Sequence, residues 1–220
     1  MISIAIDGPA GAGKSTVAKM VAKELGYLYI DTGAMYRALT LKALNNNVAI
    51  TDETVITKLA ENTDITLAPG DPLNVYLDGL NVTSEIRSPA VSKNVSHVAG
   101  YQGVRERLVR CQREMAQAHK VVMDGRDVGS YVLPDAEFKF FLNASVNERV
   151  ARRYNEMRLK GFDVDKEELQ SDLVNRDYQD TSRKVSPLSM AKDAIAIDTT
   201  NLTPQEVTMQ IITIINERSR

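Results

Sequence analysis

Apolar residues gather into five short runs along the chain, at 2–6, 27–31, 121–124, 138–142 and 194–198. Most are apolar without clean alternation, as expected of strands buried on both faces of a parallel sheet. Between the runs the period changes. In 14–25 the apolar positions fall at Val17, Val21 and Leu25 with Ala18 and Ala22 beside them, and the pattern stops at Gly26, a residue suited to capping a helix C-terminus. Helical periodicity also marks 34–46, 103–119, 146–160, 165–182 and 203–218. This alternation predicts an α/β fold built on a five-stranded, doubly wound parallel sheet flanked by helices. Segment 64–88 breaks the rhythm. Its pieces 65–69, 74–77 and 80–86 read as short strands, with a first turn at Pro69-Gly70-Asp71-Pro72 and a two-residue hairpin turn at Asp78-Gly79. They predict a small antiparallel insert between two helices of the core.

Composition narrows the function classes. Hydrophobic residues at 43% and charged residues at 25% are ordinary for globular chains, which disfavours disordered, collagen-like and coiled-coil readings. A formal charge of −2 supplies no overall field for polyanions, so a general nucleic-acid binder is not expected and any basic site must be local. The one cysteine, Cys111, has no partner within the chain and no nucleophile signature around it, and it is read as a passive helix residue in a reducing, cytoplasmic setting. The N-terminal residues lack a basic segment followed by a long apolar one, and no window approaches a membrane span, so no export signal and no membrane association are expected.

The first strong chemical signal is Gly8-Pro9-Ala10-Gly11-Ala12-Gly13-Lys14-Ser15, which matches G-x-x-x-x-G-K-[ST] between a predicted strand and a predicted helix. Small residues let backbone N–H groups wrap phosphates, and the helix start adds unpaired N–H groups and its positive dipole end. The stretch from Gly8 to Thr16 is therefore the expected ATP site, with Lys14 on the β- and γ-phosphates and the Ser15 hydroxyl on Mg²⁺. The chain contains neither a D-x-x-G switch nor an N-K-x-D guanine reader, which argues against a regulatory GTPase. Motor ATPases run larger and act on polymers.

A second set of residues lies at the other predicted strand ends. Asp31-Thr32-Gly33-Ala34-Met35-Tyr36-Arg37 follows one of them, and Asp124-Gly125-Arg126-Asp127 follows another. Arg149, Arg152, Arg153 and Arg158 share one helical run, the first three near one face, and Arg176-Asp177-Tyr178-Gln179-Asp180-Thr181-Ser182-Arg183 comes soon after. Arginine at such positions can fork onto phosphate. Asp31 and Thr32 can equally cap the helix that they precede. Asp124 reads either as a partner of a Mg²⁺-bound water or as a turn carboxylate.

Taken together with Ser84-Glu85-Ile86-Arg87 and Val104-Arg105-Glu106, these strings resemble the bacterial cytidylate kinases, of the P-loop nucleoside monophosphate kinases, over essentially the whole chain. The Thr at position 32, where Ser is also found in the pattern, is a mild change. The resemblance implies a P-loop kinase core (about 1–60, 98–145 and 185–220), a nucleotide-acceptor insert (about 61–97) and a helical lid region (about 146–184). It implies transfer of the ATP γ-phosphoryl to CMP or dCMP, with Mg²⁺ as cofactor and a monomer as the working state. It also implies roles. Ser96, Arg105 and Asp127 are cytosine contacts, Arg176 and Asp180 ribose contacts, and Arg37, Arg126 and Arg183 phosphate contacts. Asp31, Thr32 and Tyr36 join the acceptor site, Arg149 the donor site, and Lys14, Arg126, Arg153 and Arg183 the catalytic set. Cytosine offers an amino donor beside two acceptors, so a carboxylate paired with an arginine suits it, whereas uracil would turn a carbonyl toward Asp127. No catalytic histidine is required, because a phosphate monoester is mostly dianionic at neutral pH, and His97 and His119 lack metal-ligand spacing. Two other readings stay open at this stage: a P-loop kinase for a different small acceptor, and a nucleotide-binding regulatory protein without turnover.

Overall fold

The computed structural model describes residues 1–218 apart from 71 and 160. The chain runs β1 (Ser3–Asp7), α1 (Lys14–Leu25), β2 (Leu28–Asp31), α2 (Thr32–Asn45), α3 (Glu53–Glu61), β3 (Ile65–Ala68), β4 (Asn74–Leu77), β5 (Leu80–Asn81), α4 (Pro89–Val98), α5 (Gln102–Ala118), β6 (Val121–Asp124), β7 (Phe138–Asn143), α6 (Val146–Leu159), α7 (Lys166–Ser182), β8 (Ile195–Asp198) and α8 (Pro204–Arg218). A 3₁₀ turn at Glu85–Arg87 and a π-helical turn at Val128–Val132 complete it.

Five strands form one parallel sheet in the order β2-β6-β1-β7-β8. Ile4 and Ile6 of β1 point to the side covered by α1 and α8, in a core shared with Val17, Val21, Ile211 and Ile215. Ala5 points the other way, into a core with Val109 of α5, Met123 and Val128. Both faces of the central strands are dry, which is why these strands read as continuous apolar runs; each fully buried aliphatic side chain stabilises the fold by ~1.5–3 kcal/mol. The chain leaves β1 toward β2 but leaves β7 toward β8. The connections therefore diverge above the middle of the sheet and open a crevice at the C-terminal strand ends, where ligands of such sheets bind.

The insert is a three-stranded antiparallel sheet, β3-β4-β5, packed on α2 through Val75, Leu77, Ala34, Ala38 and Leu41. Its hairpin turn is the one the Asp78-Gly79 pair predicts, with positive φ at both residues, 49° and 82°. The strand expected over 80–86 is shorter than predicted. Only Leu80–Asn81 pairs, because the Thr83 hydroxyl takes the Val75 N–H at 2.9 Å and ends the ladder, after which the chain coils into the 3₁₀ turn. In the first predicted turn Asp71 lies outside the described residues, as does residue 160 at the end of the predicted helix 146–160. Two helices went unpredicted. α3 buries only Ile56 and Ala60, too few to show a period, and its signal is the Asp52 cap on the Val55 N–H. α4 has Ser88 as its cap and Pro89 in its first turn, a start signal just past the segment read as strands. Among the described residues no helix is long and apolar enough to cross a membrane.

Candidate active site

The loop after β1 is shaped by glycine. A Cβ on Gly8, whose φ is 144°, would sit 1.9 Å from the Leu142 carbonyl oxygen, so no other residue fits between β1 and β7. Gly13 starts α1 in a left-handed conformation, and no side chain caps the first turn, which leaves the positive end of the helix open to the crevice. Lys14 is buried and its Nζ donates to the Pro9 carbonyl at 2.8 Å. Burial, reinforced by Arg126 and Arg176, holds its ammonium below the usual lysine range. An anionic ligand on this loop would reverse that. Ser15, the next residue, donates through Oγ to Asp124 Oδ2 at 2.8 Å.

Asp124 is buried at the end of β6 and receives two more hydroxyls, from Tyr29 on Oδ1 and from Thr32 on its carbonyl oxygen, both at 2.8 Å. Burial, then the nearby Asp31, push its carboxyl up. Asp31 caps α2 by accepting the Ala34 N–H at 2.9 Å, so the capping role anticipated for this pair is present at Asp31, while Thr32 ties α2 to β6. Tyr29 was not anticipated. Its only sequence signal is a hydroxyl-bearing residue inside an otherwise apolar strand.

Across the crevice, Arg105 of α5 is 1% exposed and forms an ion pair with Asp127. Its guanidinium lies 5.6 Å from the Tyr36 ring centroid and 5.7 Å from that of Tyr131, a sandwich that desolvated cations favour. Arg183 approaches the other Asp127 oxygen at 3.2 Å. Burial nonetheless outweighs both arginines and raises the Asp127 carboxyl above its ordinary value. The Tyr36 hydroxyl and the Ser96 hydroxyl are buried and have no hydrogen-bond partner among the described residues, and Arg105 Nε is likewise unpaired. Unsatisfied polar atoms gathered on one wall are costly, and they mark a surface complementary to a polar ligand.

Between these walls stand cations. Arg126 donates to Asp180 at 2.8 Å, and although burial alone would raise Asp180, Arg126 and Arg176 hold it low. Arg37 is pushed down to about 9 by burial, with Arg176 next in effect, even though it donates to the Ile86 carbonyl and the Ser92 hydroxyl. Arg176 is pushed down to about 10 by burial and by Arg126. Its Nε is buried with no hydrogen-bond partner among the described residues.

Of the arginines expected on α6, Arg152 and Arg153 line the crevice, and Arg153 pairs with Glu156 at 2.7 Å. Arg149 does not line it. It lies behind the phosphate loop, donating to the Ala10 carbonyl at 3.0 Å and to Asp177 at 2.5 Å, with its Cβ 3.0 Å from where a Cβ on Gly11 would stand. Arg149 thus braces the loop from outside. Arg152 ties α6 to Thr199 beyond β8, and Arg158 is exposed beside Asp163. Gly8 and Pro9 also sit outside the cleft wall, whereas Ala10, Ala12, Thr16, Arg105, Arg126, Asp127, Asp180 and Arg183 line it.

The cleft has a volume of about 1820 Å³, against ~300–1,000 Å³ for a pocket holding one small molecule, so it admits two ligands side by side. Among the described residues no group of three His, Cys, Asp or Glu side chains is placed to hold a metal ion. A cation here needs oxygen atoms from a ligand as well.

Comparison with known proteins gives the family. The family model for cytidylate kinase matches residues 4–217. A protein named cytidylate kinase from Desulforamulus reducens is 57% identical over 210 residues, covering 96% of this chain and 95% of its own. The one from Bacillus velezensis is 52% identical over 220 residues, covering 100% and 98%. Among solved structures, a shikimate kinase from Acinetobacter baumannii aligns with a TM-score of 0.51 at 16% identity, over 99% of this chain and 94% of its own, a likeness of fold alone. With the match running through both walls of the cleft, this chain belongs to the cytidylate kinase family.

Proposed function

We propose that the chain transfers the γ-phosphoryl group of ATP to the phosphate of CMP or dCMP, giving ADP and the corresponding diphosphate, as a (d)CMP kinase of pyrimidine nucleotide metabolism. The observation that carries the reading is the charge distribution. Lys14, Arg37, Arg126, Arg153 and Arg176 share one cleft, and burial and mutual repulsion depress several of them. A bound anion relieves such a cluster, and two phosphate chains meeting head to head supply one.

On the donor side, the loop N–H groups and Lys14 bind the ATP phosphates, and Arg149 holds the loop in shape through Ala10. On the acceptor side, Arg37 and Arg126 take the CMP phosphate, Arg176 and Asp180 the ribose, and Arg105, Asp127, Ser96 and Tyr36 the base. Asp127, held between Arg105 and Arg183, accepts from the cytosine amino group; uracil presents an acceptor there instead. Arg153 and Arg183 add positive charge as phosphoryl negative charge spreads in a loose transition state. No general base is required, since the acceptor phosphate is already ionised. The residues that would hold Mg²⁺ are Ser15 and Asp124, and the ion, arriving with ATP, would neutralise the β- and γ-phosphates. This donor set fits Mg²⁺, which binds few protein groups and keeps waters and phosphate oxygens. Donor and acceptor walls are both built by one chain, which supports a monomer as the working unit.

The test is ADP release from Mg·ATP with CMP, dCMP, UMP, AMP and shikimate offered separately at equal concentration. Turnover with CMP and dCMP, and Lys14→Ala abolishing it with the fold intact, is the expected result. Preference for another acceptor would overturn the assignment of the base contacts.

A further inference from the structure

We propose that Asp7 is a positioning residue for the acceptor site, its carboxylate being the peg that fixes the backbone carrying Arg126 and Asp127. The inference rests on the acceptor reading given above and adds a residue which that reading does not use. Asp7 is the last residue of β1 and is 4% exposed. Its side chain points to the same side of the sheet as Ala5, toward α5 and the π-helical turn. Oδ1 accepts the Val128 N–H at 2.8 Å, and Oδ2 accepts the Gly129 N–H at 2.7 Å. These two donors follow Asp127 directly in sequence, so both carboxylate oxygens are spent on the backbone just past the base-reading carboxylate.

The surroundings are cut to this contact. A Cβ on Gly125 would meet Thr32 Oγ1 at 2.6 Å and lie 3.8 Å from Asp7 Oδ1. A Cβ on Gly129 would press on Lys139 Cγ and Cδ at 3.2 Å and lie 3.4 Å from Asp7 Oδ2. The carboxylate therefore sits against two glycines at either end of the Arg126–Asp127 segment. Burying it is costly: desolvation pushes the Asp7 carboxyl up to about 6, with Asp127 adding to the rise and the two N–H groups and Lys14 opposing it. An aliphatic residue would fill the strand position without that cost but would leave two buried N–H groups unpaired. What the carboxylate supplies is a fixed direction for the loop, and a displacement of ~1 Å in a group that orients substrate can cost ~100-fold in rate.

Asp7 also borders the phosphate loop, so the experiment must separate the two sides of the cleft. Steady-state kinetics of Asp7→Asn are measured with CMP, UMP and ATP varied in turn. One of the two N–H groups then faces an amide NH₂, and the expected result is a KM for CMP raised about 10-fold or more, in line with a lost charged hydrogen bond, with the KM for ATP within about twofold. The CMP to UMP ratio of kcat/KM should narrow at least about threefold, a readout that general loosening of the fold would leave in place. Equal rises in both KM values with an unchanged CMP to UMP ratio, or no change in any of them, would overturn the proposal. Asp7→Ser removes the buried charge and keeps one oxygen acceptor at the strand end, and it decides the matter if Asp7→Asn does not fold. A KM for CMP raised a few-fold, with that for ATP unmoved, is expected there, and an unchanged KM for CMP would overturn the proposal. Wild-type protein run in parallel distinguishes the two failures. If it turns over another acceptor in place of CMP, the acceptor reading fails, and the KM for that acceptor then judges the role of Asp7.

Discussion

Replacing Arg176 by methionine should stabilise the ligand-free protein and disable it as an enzyme. Arg176 lies on α7, where burial first and then Arg126 and Arg153 disfavour its charge, and Asp180 and Asp177 offset this only in part. The fall from the usual arginine value of 12.5 to about 10 is worth roughly 3 kcal/mol at ~1.4 kcal/mol per tenfold. Because the side chain is half-buried and borders the open cleft, water screens part of this, and ~1–2 kcal/mol is the working figure. For a base whose folded value is depressed, the cost is complete below that value and is relieved only as pH rises through about 10, so it is fully present at pH 7 to 8. Methionine keeps much of the aliphatic stem and removes the charge. At ~2–4 °C per kcal/mol for a chain of this size, the ligand-free melting temperature should rise by about 2–8 °C. Loss of a charged hydrogen-bond donor at the ribose should lower kcat/KM for CMP by ~10- to 100-fold. Saturating CMP stabilises the wild type by ~2.7 kcal/mol at 100 times Kd, and that increment should shrink in the variant. Differential scanning fluorimetry at pH 7.5, with and without CMP, reads both effects. A melting temperature that falls in the ligand-free variant would refute the reasoning, since the cation would then be net stabilising in the empty cleft.

Two other outcomes follow from the same contacts. Ser15→Ala should lower kcat by ~100-fold and shift the Mg²⁺ dependence to higher concentration, while Ser15→Thr, which restores the hydroxyl, should recover most of the activity; turnover against Mg²⁺ concentration checks both. The raised Asp7 carboxyl means that the folded protein holds this proton more tightly than the unfolded chain does. Its contribution is favourable below about pH 4 and is lost as pH rises through about 6, roughly 3 kcal/mol in all. Urea unfolding between pH 4 and 7.5 should show the wild type declining relative to Asp7→Asn across that window, and parallel pH profiles would contradict the assignment.

Local features were legible because they depend on neighbours along the chain. The P-loop string needs glycines at fixed offsets, the Asp78-Gly79 turn needs two residues at positive φ, and α1 shows its buried stripe within twelve residues. Helices with short buried stripes, α3 and α4, were missed, and the strand expected over 80–86 was overextended, since a β-prone composition does not reveal that the Thr83 hydroxyl will cap the ladder. The string of arginines on α6 was visible, but not that Arg149 would turn behind the loop while Arg153 faces the cleft.

By itself the sequence determined the α/β alternation, the phosphate loop and which charged residues stand at the strand ends, because hydrophobic period, turn chemistry and motif spacing are all local. Only the tertiary structure decided that Arg105 would lie between Tyr36 of α2 and Tyr131 of the π-helical turn, that Tyr29 would hold Asp124, and that Asp7 would grip Val128 and Gly129. Those partners are brought together by the order in which β2, β6, β1 and β7 pair. The energy of a buried charge depends on distances and desolvation that exist only after the strands have taken their places.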